Sequence, residues 1–466
     1  MNKGKNLIKN TLVLLIGKIS VQFISFLMLP LYTGVLSTND YGIIDIVLTY
    51  VALFSPVVTL QLEMAVFRFL VDKRSNEKEK SRIITNVLIT SFFCLFVSLS
   101  IFYFIANLLN YKYTLYTIFL ILTTAIYGII LQISRGEGKN IDYSIACIIA
   151  GILNVTLNIY FLVDLKIGLV GMFLAQIIST SISILYLYIK LKIYRNLNIK
   201  YYEKSCVKEL LDYSFPLVPN GIIWWIINVS DRTIIKLLIS NSANGIYAIS
   251  NKFSGLFINA YNIYNMSWTE SVSLNIKNNS DDFINSAFNK SIKFFSLVCL
   301  MIISAIPFVF KILINDKYIE AYNYIPILML GTLANIIASL LGGIYIALKE
   351  TKKTMYTSLL AGIINILVNM LFIRIIDIYA AALSTLVSFI IIVIYRYVDI
   401  NKKIKIKIDT KFFTLFIFLY FIVTFTYYSK ILILYIVVFA SMCLIFIIYN
   451  RRSLFNIKRS ILKNRE

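Results

Sequence analysis

AGILNVTLNIYF at residues 150–161 and AGIINILVNMLF at residues 361–372 stand 211 positions apart and match at six of twelve sites. The matches include both asparagines of an N-x-x-x-N pair. A second pair agrees in order and nearly in offset. VLSTNDYGIIDIVLTYVALF at 35–54 and LISNSANGIYAISNKFSGLF at 238–257 lie 203 apart and share Ser, Gly, Ile, Ile, Leu and Phe. A repeat of this period means that one structural unit occurs twice in the chain. Both repeated segments are too long and too apolar for a soluble strand or turn, so the unit is built of helices.

Working outward, a membrane-spanning helix needs about 20 mostly apolar residues. Fourteen such stretches follow one another, from 10–36 and 42–71 at one end to 412–428 and 431–449 at the other, the last two separated only by Ser429 and Lys430. Outer-membrane strands are short and alternate polar with apolar residues, and no such pattern occurs here. Residues 1–9 are basic and lead into an apolar stretch reaching Leu36. That stretch exceeds the 7–15 residues of a signal-peptide core, so it is expected to be a retained first helix.

Composition agrees. Hydrophobic residues make up 59% of the 466 and the charged ones 15%, against roughly 25% charged in a soluble domain. Mean hydropathy is +0.80, yet the net charge is +22. The loops explain the charge. With a cytoplasmic N-terminus, the inside segments carry 34 of the 45 Lys and Arg, the outside loops six and the spans five. That asymmetry follows the positive-inside rule and predicts an N-in/C-in topology. It leaves no call for a nucleic-acid partner, and the basic segments 402–411 and 451–466 suit anionic lipid headgroups.

The expected architecture is therefore an all-α integral membrane protein of about 14 transmembrane helices, two six-helix lobes in parallel repeat plus two C-terminal helices. The divisions are 1–190 for the first lobe, 191–214 for a linker, 215–400 for the second lobe, and 401–466 for the extra helices and basic tail. Within the linker, 201–213 alternates as an interfacial helix does. Transporters with parallel repeats bind substrate between the lobes and rock them.

Several chemistries are excluded. There is no histidine, which removes His-based triads and His-ligated zinc. The five cysteines form no CxxC pair, and neither a GxGxxG nor a GxxxxGK[ST] loop occurs. No enzyme activity, metal or cofactor is expected.

Charges within spans point to a pathway, because an ionisable group at mid-bilayer costs at least ~2.5–3.5 kcal/mol. Lys18 lies roughly 13 Å deep on the first span, with Gln22 one turn further. Asp45, Glu63 and Arg68 lie on the second, Asp231, Arg232 and Lys236 on the seventh, and Lys252, Asn259 and Glu270 on the eighth. These are the repeat-paired spans. A polar, mostly cationic cavity between the lobes accounts for them, with Lys18, Gln22, Arg68, Asp231, Arg232, Lys252 and Asn259 as candidate substrate contacts. Asp45, Glu63 and Glu270, together with Asp231, are candidates for proton coupling; Na+ or the membrane potential would serve as well. Each charge also has a plainer reading: Arg68 snorkelling to the headgroups, and Asp231–Arg232 or Glu63 in local pairs. The N-x-x-x-N pairs suit helix-to-helix hydrogen bonds.

The segments LPLYTGVLSTNDYG at 29–42, RGEGKNIDY at 135–143 and SDRTIIKLLISNSANGIYAISNKF at 230–253 carry a resemblance. With the twelve-plus-two helix plan, the chain resembles the polysaccharide repeat-unit flippases of the multidrug/oligosaccharidyl-lipid/polysaccharide (MOP) exporter superfamily. The resemblance implies a place in the bacterial cytoplasmic membrane, and a monomer is expected because two lobes in one chain already make the cavity. Its substrate would be an undecaprenyl-diphosphate-linked oligosaccharide destined for O-antigen, capsule or exopolysaccharide. Lipid II flippases of the same superfamily are the near alternative. Cation-exporting multidrug antiporters fit less well, since the mid-depth charge of the first span is Lys18. A membrane-embedded glycosyltransferase or polymerase is disfavoured by the short outer loops.

Overall fold

A chain in hydrocarbon must satisfy every backbone N–H and C=O from within, and a helix does this in one segment. The computed structural model describes residues 26–275, 281–348 and 350–463, and among the described residues there is no strand. The chain divides into two units, Met1–Lys236 with Ser240–Gly245, and Leu237–Ile239 with Ile246–Glu466.

The first unit contains α1 (Leu29–Val35), α2 (Thr38–Val58), α3 (Leu62–Asp72), α4 (Glu77–Leu108), α5 (Thr114–Gly136) and α6 (Asn140–Ile159), which runs on through a π turn to Asp164. It continues with α7 (Leu169–Lys190), the short α8 (Ile193–Asn196), α9 (Lys204–Ser214) and most of α10 (Leu217–Leu238). The second unit holds all but the start of α11 (Asn241–Asn275), then α12 (Asp281–Leu313), α13 (Ala321–Ala347), α14 (Thr351–Ile376), α15 (Ile378–Asn401), α16 (Thr410–Ser429) and α17 (Leu432–Lys463). Among the described residues, eleven helices are long and apolar enough to cross a membrane, so the chain is a multi-pass membrane protein. The helices α10 and α11 are as long but more polar. The expected span at 10–36 lies mostly outside the described residues.

One expected span is broken. Residues 42–71 read as a single apolar run, but α2 ends at Val58 and α3 starts at Leu62. Pro56 has no N–H to return to Ala52, which weakens the helix one turn before its end. Leu60 and Gln61 then take left-handed conformations at φ 52° and 58°, and the Gln61 N–H donates to the Pro56 carbonyl at 2.8 Å. At the other end of the chain the narrow division is real. Lys430 turns at φ 57°, ending α16 at Ser429 before α17 begins.

In the first unit a core gathers Leu62, Val66 and Leu70 of α3, Ile84 of α4, Ile133 of α5 and Leu210 of α9. The linker therefore turns one face inward as well as bearing exposed Lys204 and Lys208. Its entry is fixed by Asn86, whose Nδ2 donates to the Tyr201 carbonyl at 2.8 Å and whose Oδ1 accepts from the Glu203 N–H at 2.9 Å. The asparagine pair works as helix glue: Asn154 Nδ2 donates to Gln176 Oε1 at 2.9 Å, joining α6 to α7. In the second unit its repeat mate does the same, Asn365 donating to Thr385 Oγ1 at 3.2 Å between α14 and α15.

The second unit is also held by one buried cation. Arg396 of α15 is 5% exposed. Its guanidinium donates to the Ala338 carbonyl at 2.7 Å, to Thr357 Oγ1 at 2.7 and 2.9 Å, and to Ser358 Oγ at 3.1 Å. It thereby ties α13, α14 and α15 through neutral acceptors. Asp399, one turn away, is taken by Lys353 at 2.6 Å and by the Tyr345 hydroxyl at 2.9 Å. Gly342 makes room, because a Cβ there would lie 2.9 Å from Arg396 Nη1. Each buried acceptor stripped of its donor costs roughly 1–3 kcal/mol. Arg396→Ala should therefore lower the thermal unfolding midpoint in detergent sharply. Arg396→Lys should recover little of it, since one ammonium cannot reproduce the fork; full recovery by lysine would contradict the clamp.

Candidate functional site

The site grows from two helix starts. Ser37 caps α2, its Oγ accepting from the Asp40 N–H at 3.1 Å. Ser240 does the same for α11, accepting from the Ala243 N–H at 3.0 Å. Both are favoured N-cap residues. Each helix then presents a glycine in its second turn, Gly42 and Gly245, the pair aligned by the 203-residue repeat. A Cβ on Gly42 would lie 1.8 Å from the Asn241 carbonyl oxygen, and one on Gly245 would lie 2.1 Å from that of Thr38. Thr38 and Asn241 are themselves repeat mates. The two first turns thus pack backbone against backbone, each glycine on the other helix's opening residue, all within the first unit. Asn244 fastens the contact by donating to the Gly42 carbonyl at 3.0 Å.

This approach brings one acid and one base together. Asp45, one turn beyond the crossing, lies 3.3 Å from Arg232 Nε of α10, with the two side chains 12% and 26% exposed. The same Asp45 oxygen accepts from Asn244 Nδ2 at 3.4 Å. Arg232 Nη1 donates to Thr49 Oγ1 at 2.9 Å, and the hydroxyls of Tyr50 and Thr233 are paired at 3.1 Å. Among the described residues, Arg232 Nη2 has no hydrogen-bond acceptor. The guanidinium is therefore held in position by part of its fork while other donors remain for a ligand. Such a fork matches phosphate or carboxylate bidentately.

The other expected site residues fall out as follows. Lys18 and Gln22 lie outside the described residues. Asp231 is buried beside Arg232, where consecutive residues point to different sides of a helix. Arg68 pairs with Asp72 at 2.7 Å, both about half exposed. Glu63 accepts from the Thr59 hydroxyl at 2.8 Å, so it braces the break between α2 and α3. In the second unit, Lys252 and Asn259 are half-buried on α11, while Glu270 is exposed. Thr49, Tyr50, Thr233 and Asn244 were not among the expected contacts. The signal that points to their neighbourhood is the aligned pair of glycines.

The glycine contact is directly testable. Gly42→Ala and Gly245→Ala each force a helix to move, so each should lower the thermal midpoint by an amount equivalent to roughly 1–3 kcal/mol or more. Gly128→Ala on α5, where a Cβ meets nothing within 4 Å, should leave it unchanged or raise it, by the equivalent of up to ~1 kcal/mol of helix propensity. Equal behaviour of all three would refute the close approach.

Comparison with known proteins follows the same lines. The lipid II flippase MurJ, in an inward closed conformation, matches with a TM-score of 0.70 at 19% identity over 96% of this chain and 100% of that one. An inward-facing multidrug resistance MATE family transporter of the MOP superfamily matches with a TM-score of 0.66 at 11% identity, over 82% of this chain and 95% of that one. A MOP superfamily transporter from Pyrococcus furiosus gives 0.55 at 14% identity, over 84% and 95%. At these identities the likeness is one of fold. No protein of curated function matches the chain significantly. The family model described as polysaccharide biosynthesis protein matches residues 7–269, more than half of the sequence and all of the Asp45–Arg232 site. With a MOP-type fold and this match, the chain belongs to the polysaccharide biosynthesis protein family.

Proposed function

We propose that the chain is a flippase that carries undecaprenyl-diphosphate-linked oligosaccharide repeat units across the bacterial cytoplasmic membrane by alternating access. The observation that carries this is Arg232, a cation within an apolar helix bundle, fixed by Asp45 and Thr49 with donors to spare. A diphosphate is the natural partner of such a fork. Membership of a polysaccharide biosynthesis family supports a sugar on that diphosphate.

In this reading fourteen spans run N-in/C-in, and the six-helix lobes of the internal repeat move against each other. Lys18, Arg232 and Lys252 meet the diphosphate, with Arg68 at the mouth. Gln22, Asp231 and Asn259 meet the sugar or orient the cations, while the prenyl chain remains in lipid. Arriving phosphate competes with Asp45 for Arg232. Release of Asp45 would free an acid to exchange a proton or a sodium ion, with Glu63 and Glu270 as the other candidates. The work is translocation, without bond chemistry, by a single polypeptide.

A second reading, a lipid II flippase, is favoured by the end-to-end match to MurJ. Both substrates are diphosphate lipids, so the same cations would serve. Cells separate them. Depletion that arrests wall synthesis selects lipid II, whereas viable cells lacking only a surface polymer select the repeat unit. Loss of a charge-assisted contact worth about 1.5–3 kcal/mol weakens binding roughly ten- to hundredfold. Arg232→Ala and Lys18→Ala should therefore abolish the surface polymer at unchanged protein level, and normal polymer in both would overturn the assignment.

A further inference from the structure

We infer that the first unit holds an anionic phospholipid in a groove between α2, α4 and α5, its phosphate on Lys236 and one acyl chain along α4. Two cavities make the groove. One, of about 760 Å³, is lined almost wholly by apolar side chains, including Val57, Phe93, Val97 and Ile101. The other, of about 250 Å³, ends at Lys236. They share Phe54, Phe102, Ile105 and Ile121, so one surface runs through both.

The groove is shaped for an amphiphile. Its smaller end collects the polar groups, Tyr50, Tyr111, Thr117 and Lys236, and the hydroxyls of Tyr111 and Thr117 pair at 3.3 Å. The larger end has only Ser98 and Cys94 among apolar neighbours. Along this wall α4 turns Phe93, Ile101 and Ile105 outward, all exposed. From Phe93 to Leu109 the helix advances ~24 Å at 1.5 Å per residue. Half a bilayer with its headgroups is about 20–22 Å. The groove therefore has the depth of one leaflet, which fits a phospholipid standing at its own level.

Charge selects the headgroup. Among the described residues, Lys236 makes no ion pair or hydrogen bond, whereas Arg232 one turn earlier is engaged by Asp45 and Thr49. A half-buried ammonium at the end of an apolar groove leaves a positive charge for a phosphate to neutralise. Among the described residues, no carboxylate lines either cavity to compete for it. A zwitterionic lipid brings its own cation next to that ammonium, so a net anionic headgroup is preferred. Among the described residues, none of the proposed substrate contacts lines the groove, although Tyr50, whose hydroxyl pairs with Thr233 beside Arg232, borders both the groove and the Arg232 site.

The test is native mass spectrometry of the purified full-length protein with equal amounts of phosphatidylglycerol and phosphatidylcholine. Phosphatidylglycerol adducts should exceed phosphatidylcholine adducts by about fivefold, the size of one lysine–phosphate attraction at a membrane surface. Lys236→Gln should bring the two to parity and Lys236→Arg should keep the preference. Ile105→Trp, which fills the groove, should reduce both adducts. An unchanged preference in Lys236→Gln, or undiminished adducts in Ile105→Trp, overturns the site. Displacement of phosphatidylglycerol by an equal amount of a polyprenyl phosphate also overturns it, since the groove would then belong to a prenyl chain.

Discussion

Two helix starts without side chains between them govern the first unit. Gly42 and Gly245 let the opening turns of α2 and α11 meet at backbone distance, and no other residue type fits either place. Small residues at helix contacts are a general solution in membranes, where helices gain little from hiding apolar surface and must rely on close packing. Here the solution is doubled. The glycine of each repeat abuts the first residue of its counterpart, so the contact has the near-twofold character of the duplication itself. Asp45 comes to Arg232 because it sits one turn beyond that crossing.

Charge is the second organising constraint. A membrane protein cannot disperse cations freely, and this chain uses them in three ways. Most lie outside the long apolar runs of the sequence. Arg396 is buried and spreads its charge over neutral acceptors from three helices. Arg232 is paired but not saturated. The distinction matters functionally, because a guanidinium with all three nitrogens engaged is a structural tie, whereas one held by part of its fork can exchange partners. Lys236, which we infer is presented to lipid, would add a fourth.

Much of this was legible from residue order. Long apolar runs predict the helices, since hydrocarbon leaves the backbone no alternative: the run at 412–428 is α16, Thr410–Ser429, whereas α17 continues beyond the expected 449 to Lys463. The repeat at offset 203 contains the two decisive glycines. What stayed hidden depended on three dimensions. The break after α2 uses left-handed Leu60 and Gln61, which carry no local turn signature. Arg396 looks like a loop cation because it stands just inside the end of its helix, and only the fold shows acceptors converging on it. Thr49, Tyr50 and Thr233 are unremarkable on their own helices and become a site only when α2 and α10 are brought together.

Whether the chain moves a diphosphate-linked sugar lipid from one leaflet to the other is decided in liposomes. Purified protein would be reconstituted with an undecaprenyl-diphosphate oligosaccharide confined to one leaflet. Arrival of the sugar at the opposite face would be followed with a membrane-impermeant lectin. Translocation well above that of protein-free liposomes is expected of a flippase. A rate equal to that of the protein-free control, from protein shown to be folded and inserted, would contradict it.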